Sequence, residues 1–258
     1  MNRSLWISAT GMECQQALTE TIANNMANVN TMGYKRSVAR FQDMLYQTLG
    51  TPGAATADSE RAVGIEMGGG ARLMSVSKDF NQGTLINSSS ALDLALEGEG
   101  FFEIQMPDGS SGYTRSGTFH LNASGQVVNA TGDTIVGFPT IDTNATTIDI
   151  AKDGTVSVTV DGTISQSGQL ALVRFTNNEG LKSLGHGIYS ETEASGAPQR
   201  GTPGTSGFGQ IAQYYVEGSN VQIVKEMVDM IASQRAYELN SKSIKAADEM
   251  LRMASNLK

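Results

Sequence analysis

The chain has one cysteine, two histidines, five prolines and 6% aromatic residues in 258 positions. A single thiol, Cys14, forms no internal disulfide, and His120 and His186 alone build no histidine-rich metal cage, so disulfide scaffolds and zinc fingers are excluded. No apolar run reaches the roughly 18 to 20 residues that cross a bilayer. Residues 1–8 lack the long apolar stretch of a secretory signal, so any exit from the cytoplasm is expected to use another route. Basic residues are scarce as well. Only 18 Lys and Arg stand against 26 Asp and Glu, a net charge of −8, and they are scattered, whereas binding a phosphate backbone needs them clustered. Nucleic acid is not an expected partner.

What is present is unevenly placed. Only Gly11 and Gly33 precede residue 50, no glycine follows Gly218, and all five prolines lie between 52 and 203, so two helical ends bracket a glycine-rich middle. The charge follows the same division. Residues 91–200 hold 13 acidic and 5 basic side chains, while the remainder holds 13 of each sign.

Residues 219–258 contain no helix breaker, and Ser219 and Gln222 have the spacing of a capping box, which predicts one helix of about 38 residues, or about 57 Å. Successive 100° steps place Val221, Val224, Val228, Ile231, Leu239, Ala246, Met250, Met253 and Leu257 on one stripe, interrupted by Arg235 and Lys242. Ile223, Met227, Met230, Tyr237, Ile244 and Leu251 form a looser second stripe, and a helix apolar on two sides needs more than one neighbour. A first helix is predicted from about Ser4 to Ala27, with Ile7, Gly11, Cys14, Leu18 and Ile22 on one face and Met26 and Val29 near its edge. Asn28, Asn30 and Gly33, which tolerate left-handed backbone, mark its end. The two stripes can pair as a coiled coil; periodicity equally allows a helical hairpin capping a β-domain. Asparagine favours caps over helix interiors, and Asn24 and Asn28, four apart, are placed to bond across a helix interface.

The middle reads as β-structure. Residues 101–106, 155–160 and 169–173 alternate, and Asp108-Gly109, Asp153-Gly154 and Asp161-Gly162 are turn signals. Residues 50–70, rich in Gly, Ala, Ser and Thr around Pro52, read as a linker or extended arm. No catalytic signature emerges. Gly98-Glu99-Gly100 leads into a strand, Gly68-Gly69-Gly70 lacks the Gly-Lys-Ser/Thr that cradles phosphate, no Gly-x-Ser-x-Gly elbow is present, and the Asp-Gly carboxylates belong at wet hairpin tips. Cys14, on an apolar face, reads as a packed small residue. No catalytic, metal or cofactor site is expected.

Residues 23–36 resemble the N-terminal signature of bacterial flagellar rod and hook proteins, Ala-Asn-x-x-Ala-Asn-x-x-Thr-x-Gly-aromatic-Lys/Arg, with matches at Ala23, Asn24, Ala27, Asn28, Thr31, Gly33, Tyr34 and Lys35. Ser219-Asn220-Val221 and residues 234–242 are similar to the same family's C-terminal block, and Gly98-x-Gly100-Phe101-Phe102, Pro107-Asp108-Gly109-Ser110 and Tyr113-Thr114-Arg115-x-Gly117-x-Phe119 to its β-domain. Residues 46–54 and the chain length look most like the distal-rod members; proximal-rod members share both terminal motifs.

The resemblance implies an α+β fold. Residues 1–35 with 219–258 would form a coiled-coil inner domain that polymerises into a tube, residues 36–90 with 201–218 an extended arm and connecting region, and residues 91–200 a mainly antiparallel β outer domain. It implies a helical homopolymer that transmits motor torque to the hook. Proximal rod and hook proteins, the surrounding outer-membrane and peptidoglycan rings and the flagellar type III export apparatus would be its partners, and its location the basal-body rod crossing the periplasm, reached without a cleaved signal. A secreted carbohydrate-active β-protein is the rival from another class and requires two converging carboxylates about 5 to 10 Å apart. The expected polymerisation face comprises Ile7, Cys14, Leu18, Ile22, Asn24, Asn28, Val224, Val228, Ile231, Arg235, Leu239, Lys242, Met250 and Met253. The acidic middle is expected to limit nonspecific adhesion. Because the two-sided helix finds its cover in other copies, residues 1–30 and 225–258 of the free chain are expected to give unprotected backbone NMR signals; sharp, protected signals from both segments would contradict this.

Overall fold

The computed structural model describes residues 3–50, 55–56, 59–60, 64–141, 145–160, 163–205 and 207–256. They group into two units. One comprises Met1–Ala27, Ser37–Ser77 and Gln222–Lys258; the other comprises Asn28–Arg36 and Lys78–Val221.

In the first unit, helix α1 spans Arg3–Ala27 and helix α2 spans Ile223–Asn256. Helix α2 begins later than the capping box predicts. Ser219 Oγ accepts only a 3.3 Å bond from Val221 N, and the first helical bond listens to Gln222, whose carbonyl accepts from Glu226 N at 3.0 Å. The helices run antiparallel. Gly11 lies against Asn240, the Thr19 and Ser233 hydroxyls are 3.0 Å apart, and Asn25 bonds Glu226, so the contacts climb α1 as they descend α2 in steps of seven. A Cβ at Gly11 would sit 2.9 Å from Asn240 Nδ2, so the glycine makes room for the Asn240 side chain. The helices are joined in this unit by an antiparallel pair, Ser37–Asp43 with Ala71–Lys78, and by a ribbon of Gln47–Gly50 with Ile65–Met67. Within residues 50–70, read as a linker or arm, Ile65–Met67 belongs to this ribbon and Ala55–Thr56 pairs with Ser59–Glu60; Pro52 lies outside the described residues.

The second unit is the β body. Its largest sheet runs in the order His120–Leu121, Val127–Val128, Thr134–Ile135, Phe101–Gln105, Ser111–Thr114, Ile188–Ser190 and Lys182–Gly185, with Leu172–Arg174 joining Phe101–Gln105 to Gln199–Gly201. Neighbouring residues face opposite sides, as the period of two requires. Phe102 and Leu172 enter one core with Phe119, Leu94 and Val156, whereas Phe101 and Val173 enter a second, aromatic core with Tyr113, Phe175 and Tyr189. A three-stranded sheet, Thr147–Ile150, Thr155–Val160 and Thr163–Gln169, supplies Ile150, Val156 and Val158 to the first core. The predicted strand at 169–173 is instead two. Leu170 N bonds Gly154 O at 2.8 Å between Thr163–Gln169 and Leu172–Arg174, which belong to different sheets. The turns at Gly109 and Gly154 have φ of +83° each; Asp161-Gly162 lies outside the described residues.

Glu103, central in the large sheet and buried, accepts bonds of 2.7 Å from Arg200 Nε, 2.6 Å from Nη2 and 3.1 Å from Ser111 Oγ. The Arg200 hydrogen bonds hold its carboxyl below the usual range, against the opposing effect of burial. A carboxyl whose pKa is lower folded than unfolded stabilises fully above its unfolded value, about 4.3, and loses that contribution as pH falls through the folded value. Glu103→Gln is therefore expected to flatten the pH dependence of unfolding below about pH 4; denaturation midpoints with the same acid slope as the unmodified chain would refute this.

Candidate self-association site

The expected α2 stripe does not pair with α1. Val224, Val228, Ile231, Leu239, Met250 and Met253 are all more than half exposed, Val224 the most at 76%. Lys242 is exposed too, and Arg235 donates to Glu238 in its own helix at 2.9 Å. Leu257 lies outside the described residues. The face turned to α1 is instead Glu226, Ser233, Asn240 and Ala247, one residue in seven, of which Asn240 is half-buried and the others buried. On α1, Cys14 and Ile22 are buried, Leu18 is half-buried and Ile7 is exposed. Apolar periodicity missed the seam because its residues are small or polar. Glycine, serine, threonine and asparagine allow helices to approach closely, and large side chains are left for the outside.

Asn25 bonds across the helices. Asn24 is exposed, and Asn28 Oδ1 accepts from Thr31 Oγ1 at 3.2 Å just past the helix end. Asn25 is 1% exposed; its Nδ2 donates to Ser37 O at 2.9 Å and to Glu226 Oε2 at 3.2 Å, and its Oδ1 accepts from Ser37 N at 2.8 Å. The signal that could have found it is the spacing of seven from Gly11 through Leu18.

The remainder of the signature is anchored in the β body. Gly33 has φ +68°, and a Cβ there would lie 2.6 Å from Ser116 N, so both conformation and space demand glycine. Tyr34 is half-buried, with Lys78 Nζ 4.4 Å from its ring centroid. Lys35 is fully buried. Its ammonium donates to Glu217 Oε1 at 2.7 Å and to Asn81 O at 2.8 Å, and Glu217 Oε1 also accepts from Gly83 N at 2.8 Å. The Glu217 carbonyl accepts from Gly33 N at 2.7 Å, and Arg115 Nη1 stands 3.8 Å from the other carboxylate oxygen. Asn220 completes the clasp, accepting from Arg36 N at 2.7 Å and donating to Asp79 O at 2.8 Å, which is why it is not spent on starting α2. Burial lowers the Lys35 ammonium from the usual lysine range, and the Glu217 carboxylate works against that shift. Ala23, Ala27 and Thr31 are exposed.

Hydrolytic chemistry gains nothing from the hairpin tips. Hydrogen bonds from the Ser110 side chain and from Thr155 N hold the exposed Asp108 and Asp153 carboxyls below the usual range, whereas a general acid needs the opposite shift. Among the described residues no group of three His, Cys, Asp or Glu is placed to hold a metal, and no helix is long and apolar enough to cross a membrane.

Uncovered apolar helix faces, backed by polar contacts that fix where those faces point, are the equipment of a structural assembly protein. Comparison with known proteins agrees. Residues 5–35 match the flagella basal body rod protein family, 95–158 the flagellar hook protein FlgE/F/G D1 domain and 212–257 the flagellar basal body rod FlgEFG protein C-terminal family. The chain is 46% identical over 257 residues to the flagellar basal-body rod protein FlgG of Buchnera aphidicola subsp. Acyrthosiphon pisum, covering 98% of this chain and 99% of the relative. It is 43% identical over 260 residues to FlgG of Caulobacter vibrioides, covering 99% of each chain, and 35% over 264 residues to FlgG of Bacillus subtilis, covering 100% of each. The chain belongs to the flagellar basal-body rod protein family.

Removing one partner of a buried ion pair strands the other, at about 3–5 kcal/mol. Lys35→Ala is thus expected to destabilise the β body by about that much in urea unfolding, and Lys35→Met combined with Glu217→Leu to cost less than the two single changes together; additive losses would show the pair to be uncoupled.

Proposed function

We propose that this chain is the subunit of the distal rod, whose copies associate through their terminal helices into a helical tubular shaft that carries motor torque to the hook, without catalysis or cofactor. The observation that carries the reading is the α2 face with six large apolar residues more than half exposed. Burying each is worth roughly 1.5 kcal/mol or more, on the order of 10 kcal/mol per copy before the cost of association. Arg235 and Lys242, seven apart on that face, set register between copies, while Ile7 and Leu18 add apolar contact from α1. The exposed Leu49, Ile65 and Met67 of the ribbon contribute a further contact that stiffens the shaft. The acidic span of residues 91–200 limits adhesion to the rings around the shaft. The names of the FlgG relatives, and their full-length match, support the rod over the carbohydrate-active alternative. Location in the basal body, partnership with proximal rod and hook proteins, and export through the flagellar type III apparatus follow from the same reading.

Val228 is 59% exposed, so Val228→Glu removes no intrachain contact of consequence. The variant is expected to unfold within about 0.5 kcal/mol of the unmodified chain yet to form no rods by electron microscopy and to abolish swimming when it is the only copy. Normal rods and motility would overturn the role of this face.

A further inference from the structure

Helix α2 outruns its partner. The pairings of Gly11 with Asn240 and Asn25 with Glu226 put Arg3, where α1 begins, level with about residue 248 at the common rise of 1.5 Å per residue. Ala247 is accordingly the last buried residue of α2, and every described side chain beyond it is exposed. Residues 248–256 therefore form an overhang of about 13 Å. On one side of it lie Glu249, Met250 and Met253, positions that share a helix face by their spacing of three and four. Met250 is 57% and Met253 60% exposed. Asp248, on a different side, is held by Arg252 of the same helix at 3.0 Å.

The same unit carries a cavity of about 540 Å³ whose chemistry is complementary. Trp6, Met44 and Leu45 give it apolar walls, and Arg3 and Arg72 line it beside the single carboxylate of Asp43, the Arg3 guanidinium donating to Met67 Sδ at 3.0 Å and to Gln47 Oε1. Arg72 is steadied by Gln42 Oε1, 3.1 Å from its Nη2. Gly69 keeps the wall close, since a Cβ there would meet Leu45 O at 2.9 Å. Leu45 is 95% exposed and Trp6 53%. The overhang cannot fill the cavity of its own chain, because α2 is a continuous helix from Ile223 to Asn256 and does not turn back.

We propose that the overhang of one copy docks in the Trp6 cavity of a second copy, with Met250 and Met253 against Trp6, Met44 and Leu45 and with Glu249 facing Arg72. The inference rests on the polymer reading above and names a specific contact within it. The two surfaces differ, so each copy gives an overhang and receives one, and a contact of this kind generates an open series rather than a closed pair. Methionine suits the role because its flexible thioether adapts to an irregular aromatic-walled cavity.

The test uses full-length chains carrying Cys14→Ser, with Leu45→Cys and Met253→Cys added singly and together. Under mild oxidation of filaments verified by electron microscopy, the chain with both added cysteines is expected to give a ladder of disulfide-linked oligomers at least tenfold above either single variant; Leu45→Cys with Val224→Cys is expected to give none. In parallel, Glu249→Arg and Arg72→Glu are each expected to raise the concentration needed for sedimentable polymer at least tenfold, and their combination to restore it. Filaments that form without the ladder, a link confined within one chain, or charge reversals that do not rescue each other would overturn the docking while leaving the polymer intact. Absence of any filament from the unmodified chain would sink the polymer reading and the docking with it.

Discussion

The structure depends on a seam between two long helices that is too small and too polar to cover them. Gly11, Ser233, Asn25, Glu226 and Ala247 do the facing, so the large side chains of α2 have nowhere to go but outward. In a helix pair built to be self-sufficient, the apolar stripe is the seam and charges line the outside. Here that order is inverted. The helices recognise one another by shape and hydrogen bonds, and the free energy available from burial remains unspent in the single chain.

The β body is organised on the opposite principle. Its large sheet is buried on both faces at its centre, where the adjacent residues Phe101 and Phe102 serve different cores. Polar groups inside it are held by neighbours: Glu103 by Arg200 and Ser111, Lys35 by Glu217 and Asn81. One unit therefore holds two buried apolar cores, while the other leaves a stripe of large apolar side chains on α2 uncovered. That contrast suits a subunit that must have a fixed body and a surface kept for its own copies.

Legibility in the sequence followed the same contrast. The helices, the antiparallel β middle and the hairpin turns at Asp108-Gly109 and Asp153-Gly154 were readable because each rests on a local period or a turn residue. The outward stripe of α2 was readable as a stripe, but not as outward. Periodicity reports which residues share a face and says nothing of what the face meets. Composition marks the asparagines at 24, 25 and 28 as a cluster, while only the helix register selects Asn25 as the one that bonds Glu226. Lys35 drew attention through its motif, but its partner Glu217 lies 182 positions away, and no pattern along the chain links them. Ser219 and Gln222 looked like a helix start until Asn220 was claimed by contacts to Arg36 and Asp79.

The placement of the polar contacts, seven apart along α2, also governs how the helix pair meets force along its axis. Smooth aliphatic seams can slip by a turn and find an equivalent packing. Sliding α1 against α2 by one turn, about 5.4 Å, would separate Asn25 from Glu226 and Thr19 from Ser233 together and drive Asn240 off the one position, Gly11, where a side chain is missing. The pair is keyed like a splined coupling: weak in adhesion, yet resistant to shear.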